Sequence, residues 1–504
     1  MNRGVRSLAL TAFAAFMGQA PRAYKFGVLA ALLGNVLLWT TLGPVAAGWA
    51  LVVEFIATLA LSMYCYPLAP GGLLVVEAVL LHLTTPARIY AETLGGIPIL
   101  LLLIFTVSAI SFMQELLVYV FARVLTAVRS PSLLALLFCL AGTVLSAFLN
   151  AVTVLAMVMT VAAGFYRIYF LAVSGLQEAN PHQLAEDALV PEAAHAELEQ
   201  FRAALRGLLM HAAVGTALGG ICTLVGEPQN VLIGSVMGWD FRQFMWEISP
   251  VAVPVVIAGL ALCTLLERFR LFGFGVPIPL PVRRLLFAHE RHEAAHRTRR
   301  DLWRLVVQAA AALLLLAALA LSWAEVGLIG LLVIVLLTAL TGVTEEHQLA
   351  EGFKMAMPFT ALLVVFFVVV AVIHDTDLFH PLVRYVLTFE GREQIAWLYV
   401  ANGVMSAISD NVFVATVYMS EIKRAFDAGA IPADQYARLA VAVNVGTNIP
   451  SVATPNGQAA FLFLLTSMIA PLLRLTYGRM VWMALPYTMV LSVVGLLASM
   501  YLLH

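Results

Sequence analysis

From residue 26 to residue 503 the chain is a succession of apolar stretches, many of them near the length of about 20 residues that a helix needs to cross the hydrocarbon layer of a bilayer. No water-soluble core would absorb so many. Spans are expected near 26–43, 46–64, 71–84, 97–121, 207–236, 248–266, 304–323, 325–342, 357–376, 437–473 and 480–503. Two further stretches, 132–166 and 394–420, carry polar clusters at their centres and predict re-entrant hairpins. Composition agrees: 62% of the residues are hydrophobic and 11% charged, where soluble domains carry about 25%. The expected fold is an all-α polytopic membrane protein with about 11 transmembrane helices.

Basic residues orient such a chain, because they accumulate on the cytoplasmic side. The segment 267–303 holds Arg268, Arg270, Arg283, Arg284, Arg291, Arg297, Arg299 and Arg300, whereas the connection 44–48 has no charge. This reading makes 267–303 a cytoplasmic linker. Counting spans outward puts the N-terminal segment 1–25, with Arg3, Arg6, Arg22 and Lys25, on the same side as an interfacial helix, and the C-terminus in the periplasm. The net charge of -1 gives no global field for nucleic acid. The four cysteines lie in apolar runs without paired spacing and read as small core residues.

Self-comparison reveals a repeat. Ser146-Ala147-Phe148-Leu149-Asn150-Ala151-Val152-Thr153-Val154 matches Ser406-Ala407-Ile408-Ser409-Asp410-Asn411-Val412-Phe413-Val414 at an offset of 260, and Pro98 matches Pro358 at the same offset. Gly72-Leu73-Leu74-Val75 recurs as Gly330-Leu331-Leu332-Val333, and Val214-Gly215-Thr216 as Val445-Gly446-Thr447, the latter displaced because the first half has a longer polar loop at 167–205. The matches predict two units, 44–266 and 304–504, with 26–43 as an extra N-terminal span. Five spans in each would make the units inverted with respect to each other, as in alternating-access transporters.

The chemistry is expected where helices break. Hairpins 132–166 and 394–420 would bring Asn150 and Asp410 together near the midplane, with Thr153, Ser409 and Asn411 beside them. Spans 207–236 and 437–473 are interrupted by Gly226-Glu227-Pro228-Gln229-Asn230 and by Thr454-Pro455-Asn456-Gly457-Gln458. Proline removes a backbone donor, so such runs unwind a helix and free carbonyls. Those carbonyls, with Thr216, Asn230, Thr447, Asn448, Thr454 and Asn456, supply the oxygen ligands that a hard cation such as Na⁺ wants.

Asp410 is the principal candidate. A carboxylate at the bilayer centre costs about 2.5–3.5 kcal/mol on insertion scales and usually marks an ion or proton pathway. One carboxylate holding either a proton or Na⁺ makes the two compete, which is the minimal chemistry of an exchanger; the bland alternative is a carboxylate that caps a turn. Glu227 is the second candidate. Glu54, Glu77, Glu115 and Glu325 read as span-end residues reaching the headgroups. His292-Glu293-Ala294-Ala295-His296 fits the HExxH pattern of zinc proteases, but in a short Arg-rich loop it reads as a solvated connector. No enzymatic activity and no cofactor are expected.

Phe16-Met17-Gly18-Gln19-Ala20-Pro21, the run Ser406 to Val414, Gly226 to Asn230 and above all Pro450 to Phe461 resemble the NhaB family of bacterial Na⁺/H⁺ antiporters, over about residues 16 to 495. The resemblance implies exchange of Na⁺, and of Li⁺, for H⁺ across the inner membrane, sodium binding at the hairpin tips and broken helices, and a homodimer. The family pattern has an aspartate where this chain has Asn150, and an amide can ligate Na⁺ but cannot take up a proton. A sodium-coupled transporter of a small anion on the same scaffold is the alternative, opposed by the charge of Asp410.

Overall fold

The computed structural model describes residues 11–180, 182–354, 356–379, 381, 385–386 and 388–503. Arg3 and Arg6 lie outside them. The described residues form helices joined by short turns, without a strand among them. Six helices are long and apolar enough to cross a membrane: α1 (Arg22–Leu42), α8 (Ala151–Ser174), α11 (Phe241–Phe269), α13 (Arg299–Ala320), α16 (Met357–Asp375) and α21 (Tyr477–Leu502). A seventh crossing is available if α4 (Pro86–Gly95) and α5 (Ile97–Ser111), which meet at 58°, act as one bent span. Shorter apolar helices, α2 (Pro44–Ala60), α3 (Leu68–Leu80), α7 (Pro131–Ser146) and α14 (Val326–Thr341), lie among them. This is the architecture of a polytopic membrane protein.

Several expected boundaries move. The stretch 97–121 is two helices, α5 and α6 (Gln114–Ala127), and α5 contains a π-helical turn at Leu102–Thr106. The loop expected at 167–205 shrinks to 175–194, because α8 runs on to Ser174 and α9 (His195–Gly220) starts early. The start of α9, 195–206, is an amphipathic polar stretch, and the end of α8 resumes its apolar run after the single charge at Arg167, so both helices extend beyond the residues that mark a span in sequence. The basic segment is also mostly helical, with α12 (Leu280–His296) following α11. His292, Glu293 and His296 are exposed on α12.

The 175–194 connection, outside the spans, is clasped to the helix that follows it. Asp187 accepts a hydrogen bond from Arg202 at 2.7 Å and pairs with Arg474 as well. The hydrogen bond from Arg202 is the main reason the Asp187 carboxyl is held below its usual 3.8. A carboxylate depressed in this way stabilises the fold above its unfolded value, and the contribution is lost as pH falls through the folded one. Asp187→Asn should therefore lower the melting temperature at neutral pH. The gap from wild type should close as the pH is taken below 3.8; a gap independent of pH would assign the loss to packing instead.

Two helix pairs dominate the interior. Helix α7 packs along α9, and α17 (Gly391–Ser406) packs along α19 (Ala433–Asn448). The contacts fall at matching positions. A Cβ on Gly215 would collide with the backbone of Cys139, and one on Gly446 would press on the backbone of Tyr399. Without water to drive helices together, close backbone approach at small residues supplies the packing energy.

Candidate functional site

Each polar cluster is a tight turn between two helices. The chain leaves α7 at Ser146, turns through 147–150 and enters α8; it leaves α17 at Ser406, turns through 407–410 and enters α18 (Asn411–Asp427). Asn150 caps α8, its Oδ1 accepting from the Val152 amide at 3.0 Å. Asp410 caps α18 in the same way, with Oδ1 accepting from the amides of Val412 at 2.8 Å and Phe413 at 3.3 Å. The capping role weighed as the bland alternative is thus real. It occupies only one carboxylate oxygen, and both residues stay partly exposed.

Both broken spans sit against these turns. Helix α9 ends at Gly220, the chain unwinds through 221–227, and α10 (Pro228–Met237) begins at the proline; α19 ends at Asn448, and after Pro450–Ala453 and the non-helical 454–458 the chain resumes as α20 (Ala459–Thr466). One hydrogen bond recurs at each turn. The Thr223 hydroxyl donates to the carbonyl of Ala147, and the Thr454 hydroxyl donates to that of Ala407 at 2.5 Å. Asn411 adds a second tie, its amide lying among Ser406, Ser451, Thr447 and Gly457. With its nitrogen turned inward it donates to the carbonyls of Thr447 at 3.1 Å and Gly457 at 3.2 Å, an orientation that satisfies both.

The two breaks are joined by amides. Asn230 Nδ2 donates to the carbonyls of Gly220 at 2.6 Å and Thr223 at 2.7 Å, stitching its own break. Across the gap, Gln229 donates to Asn448 Oδ1 at 2.7 Å, and Asn448 Nδ2 reaches Asn230 Oδ1 at 3.3 Å. The second arms cross over: α10 packs on α18 and α19, and α20 packs on α8 and α9. Glu227 and Asp410, from different parts of the chain, are thereby close enough to interact electrostatically.

The sequence-predicted residues divide by what their polar atoms do. Asn230, Asn448 and Asn411 are structural ties, and the Thr216 and Thr447 hydroxyls donate to carbonyls of their own helices. Asn456 Nδ2 donates to the Tyr477 hydroxyl at 3.5 Å. By contrast Thr153 Oγ1, Ser409 Oγ and Glu227 Oε1 are buried without a hydrogen-bond partner among the described residues. Ser146 Oγ and Asn402 Oδ1, both fully buried, share that condition and were not singled out in sequence. Ser146 opens the repeat, and that was the signal for it. Its counterpart Ser406 bonds Asn411, but Ala151 stands at the corresponding place in the first half. Among the described residues there is no group of three or more His, Cys, Asp or Glu able to hold a metal, so any cation here would rest on hydroxyls, amides and single carboxylates.

Comparison with known proteins places these features in context. The family profile described as bacterial Na⁺/H⁺ antiporter B (NhaB) matches residues 6–504. The Na⁺/H⁺ antiporter NhaB of Pseudomonas entomophila (strain L48) is 55% identical over 496 residues, covering 98% of this chain and 99% of that one. The protein of the same name from Pseudomonas aeruginosa (strain LESB58) is 57% identical over 480 residues, covering 95% and 96%. Among solved structures, the Alcanivorax borkumensis YdaH transporter aligns at 16% identity with a TM-score of 0.44, over 82% of this chain and 86% of that one.

Proposed function

We infer the working of this chain from the premise that it belongs to the NhaB family of bacterial Na⁺/H⁺ antiporters, matched over nearly its whole length. It exchanges Na⁺ for H⁺ as a multi-pass membrane protein. We propose that Na⁺, and Li⁺ with it, binds where the turns at 147–150 and 407–410 meet the breaks at 221–227 and 454–458. The observation that carries this is the free carboxylate oxygen of Asp410 at a helix break, beside buried oxygens without a hydrogen-bond partner among the described residues: Ser409 Oγ and Glu227 Oε1, with Ser146 Oγ and Thr153 Oγ1 at the first turn. Asp410 binds either the cation or a proton, so loading one expels the other. Glu227, within electrostatic reach, is the second acid.

The hairpins are read as re-entrant and the halves as inverted repeats, the whole working by alternating access. The duplicated threonine ties and the matching glycine contacts support this, since both recur in the register of the sequence repeat. A cytoplasmic N-terminus, a periplasmic C-terminus and a homodimer complete the proposal.

In everted vesicles energised to an acid interior, NaCl should dissipate the pH gradient and a carboxylate salt should not. A response to carboxylate alone would support the anion-transporter alternative. Asn150→Asp supplies the titratable group that the amide lacks, so sodium flux in proteoliposomes should change its dependence on an imposed membrane potential. Unchanged dependence in a folded variant would exclude position 150 from proton coupling.

A further inference from the structure

Far from the hairpin turns in sequence, Glu54 and Glu77 do not reach for headgroups as span-end residues would. Both turn onto one side chain. Asn35, in the middle of α1 and fully buried, donates from Nδ2 to Glu54 Oε2 at 2.7 Å and to Glu77 Oε2 at 3.0 Å. The two carboxylate oxygens can therefore be no farther apart than those two distances together. Asn35 Oδ1 is buried beside them without a hydrogen-bond partner.

Among the described residues the helices packed around this group offer it no counter-charge. Helices α1, α2 and α3 pack on one another, and α16 packs on α2 and α3. On α1 the basic groups are Arg22 and Lys25, and the Lys25 ammonium is bound by the carbonyls of Phe13, Ala14 and Gly18. On α2 and α3 the only charged residues are Glu54 and Glu77 themselves. On α16 the titratable groups are His374 and Asp375 at its end, bonded to Glu92 and Thr84. The flanking Leu33, Val53, Val76 and Leu80 are exposed apolar side chains, as on a surface that meets lipid. Two ionised carboxylates so close together on such a surface would carry both a desolvation penalty and mutual repulsion.

We propose that Glu54, Glu77 and Asn35 form a proton-binding site, distinct from the exchange site, in which the two carboxyls hold one proton between them. The proton bridges the acid pair, Asn35 Nδ2 bonds an oxygen of each, and a turn of the amide brings Oδ1 round to accept a hydrogen bond from whichever carboxyl carries the proton. The site also has a route to the transport machinery. Phe55, next to Glu54, packs edge-on against Phe366 and, at 5.9 Å between ring centroids, against Phe413, whose amide Asp410 caps.

Dicyclohexylcarbodiimide modifies protonated carboxyls in apolar surroundings, so the full-length protein is treated with it across a pH series and the modified peptides are quantified by mass spectrometry. At neutral pH modification of Glu54 and Glu77, summed over the two peptides, should reach one per chain. A shared proton is held more tightly than one on a lone acid, so in Glu54→Gln or Glu77→Gln the labelling midpoint of the remaining acid should fall by roughly one pH unit or more. In wild type at neutral pH, no label on either glutamate or a label on both in one chain would overturn the proposal, as would an unmoved midpoint in both variants. NaCl protection of this pair in Asp410→Asn would also overturn it, assigning the site to sodium. Labelling of Glu54 and Glu77 in Asp410→Asn without NaCl should match wild type, so failure of the exchange site and failure of this one are separately visible.

Discussion

Asp410→Asn is expected to abolish sodium-driven proton exchange while the protein stays folded. Asparagine can neither neutralise a dehydrated cation nor take up the returning proton. Leaving a buried charge without its partner costs about 3–5 kcal/mol, so sodium affinity and turnover together should fall at least roughly 100-fold. The structure sharpens the control. Asp410 caps α18 through one oxygen, and asparagine caps a helix about as well as aspartate, whereas alanine forfeits about 1 kcal/mol. The asparagine variant should keep the wild-type melting temperature and the alanine variant should melt lower, with neither exchanging ions. Sodium should raise the melting temperature of wild type alone. Wild-type exchange in a properly inserted Asp410→Asn protein would move the proton elsewhere, with Glu227 next in line.

The second large effect is expected at Gly215. A Cβ there would lie 2.9 Å from the carbonyl carbon and 3.0 Å from Cα of Cys139, backbone atoms that can yield only if α7 and α9 separate. Overpacking of this kind costs about 1–3 kcal/mol, partly offset by up to about 1 kcal/mol of helix propensity gained on replacing glycine. Gly215→Ala should therefore lower the melting temperature by several degrees and impair exchange, because the turn at 147–150 hangs from α7. Gly446→Ala is milder. Its nearest neighbours would be the Tyr399 carbonyl oxygen at 3.0 Å and, at 3.2 Å, Asn402 Cβ and Tyr399 Cα, separations that a small adjustment of the helices relieves. Equal melting temperatures for the two variants would show that the α7–α9 contact does not limit stability.

The apolar stretches and the repeat were legible because each leaves a periodic trace in composition: a span needs apolar length, and a duplicated turn keeps Ser146 and Ser406, Asn150 and Asp410 in register. Helix ends were harder. The α9 extension is polar and that of α8 begins at a charged residue, Arg167, so hydropathy stopped short of both. Among the candidate site residues, Asp410, Glu227, Thr454 and Ser409 could be named because a polar residue inside an apolar run is conspicuous. Their roles could not. Whether an amide binds an ion or ties two segments depends on what lies across the gap, and nothing in the sequence places Gln229 beside Asn448. Asn35 escaped notice for the same reason, since a lone amide in an apolar helix acquires meaning only when two carboxylates from other helices meet it.

The threonine ties have a consequence for how the protein is built. Thr223 reaches Ala147 across 76 residues and Thr454 reaches Ala407 across 47, so each tie closes within its own half of the chain. The amide bridge is different, for Gln229 and Asn448 are 219 residues apart. During synthesis at about 5–20 residues per second, the first turn and its break can dock tens of seconds before Asn448 leaves the ribosome. Loop closure favours the same order. The first half must therefore wait in the bilayer with the buried amide of Gln229 unmatched, and assembly ends only when the last broken helix arrives to meet it.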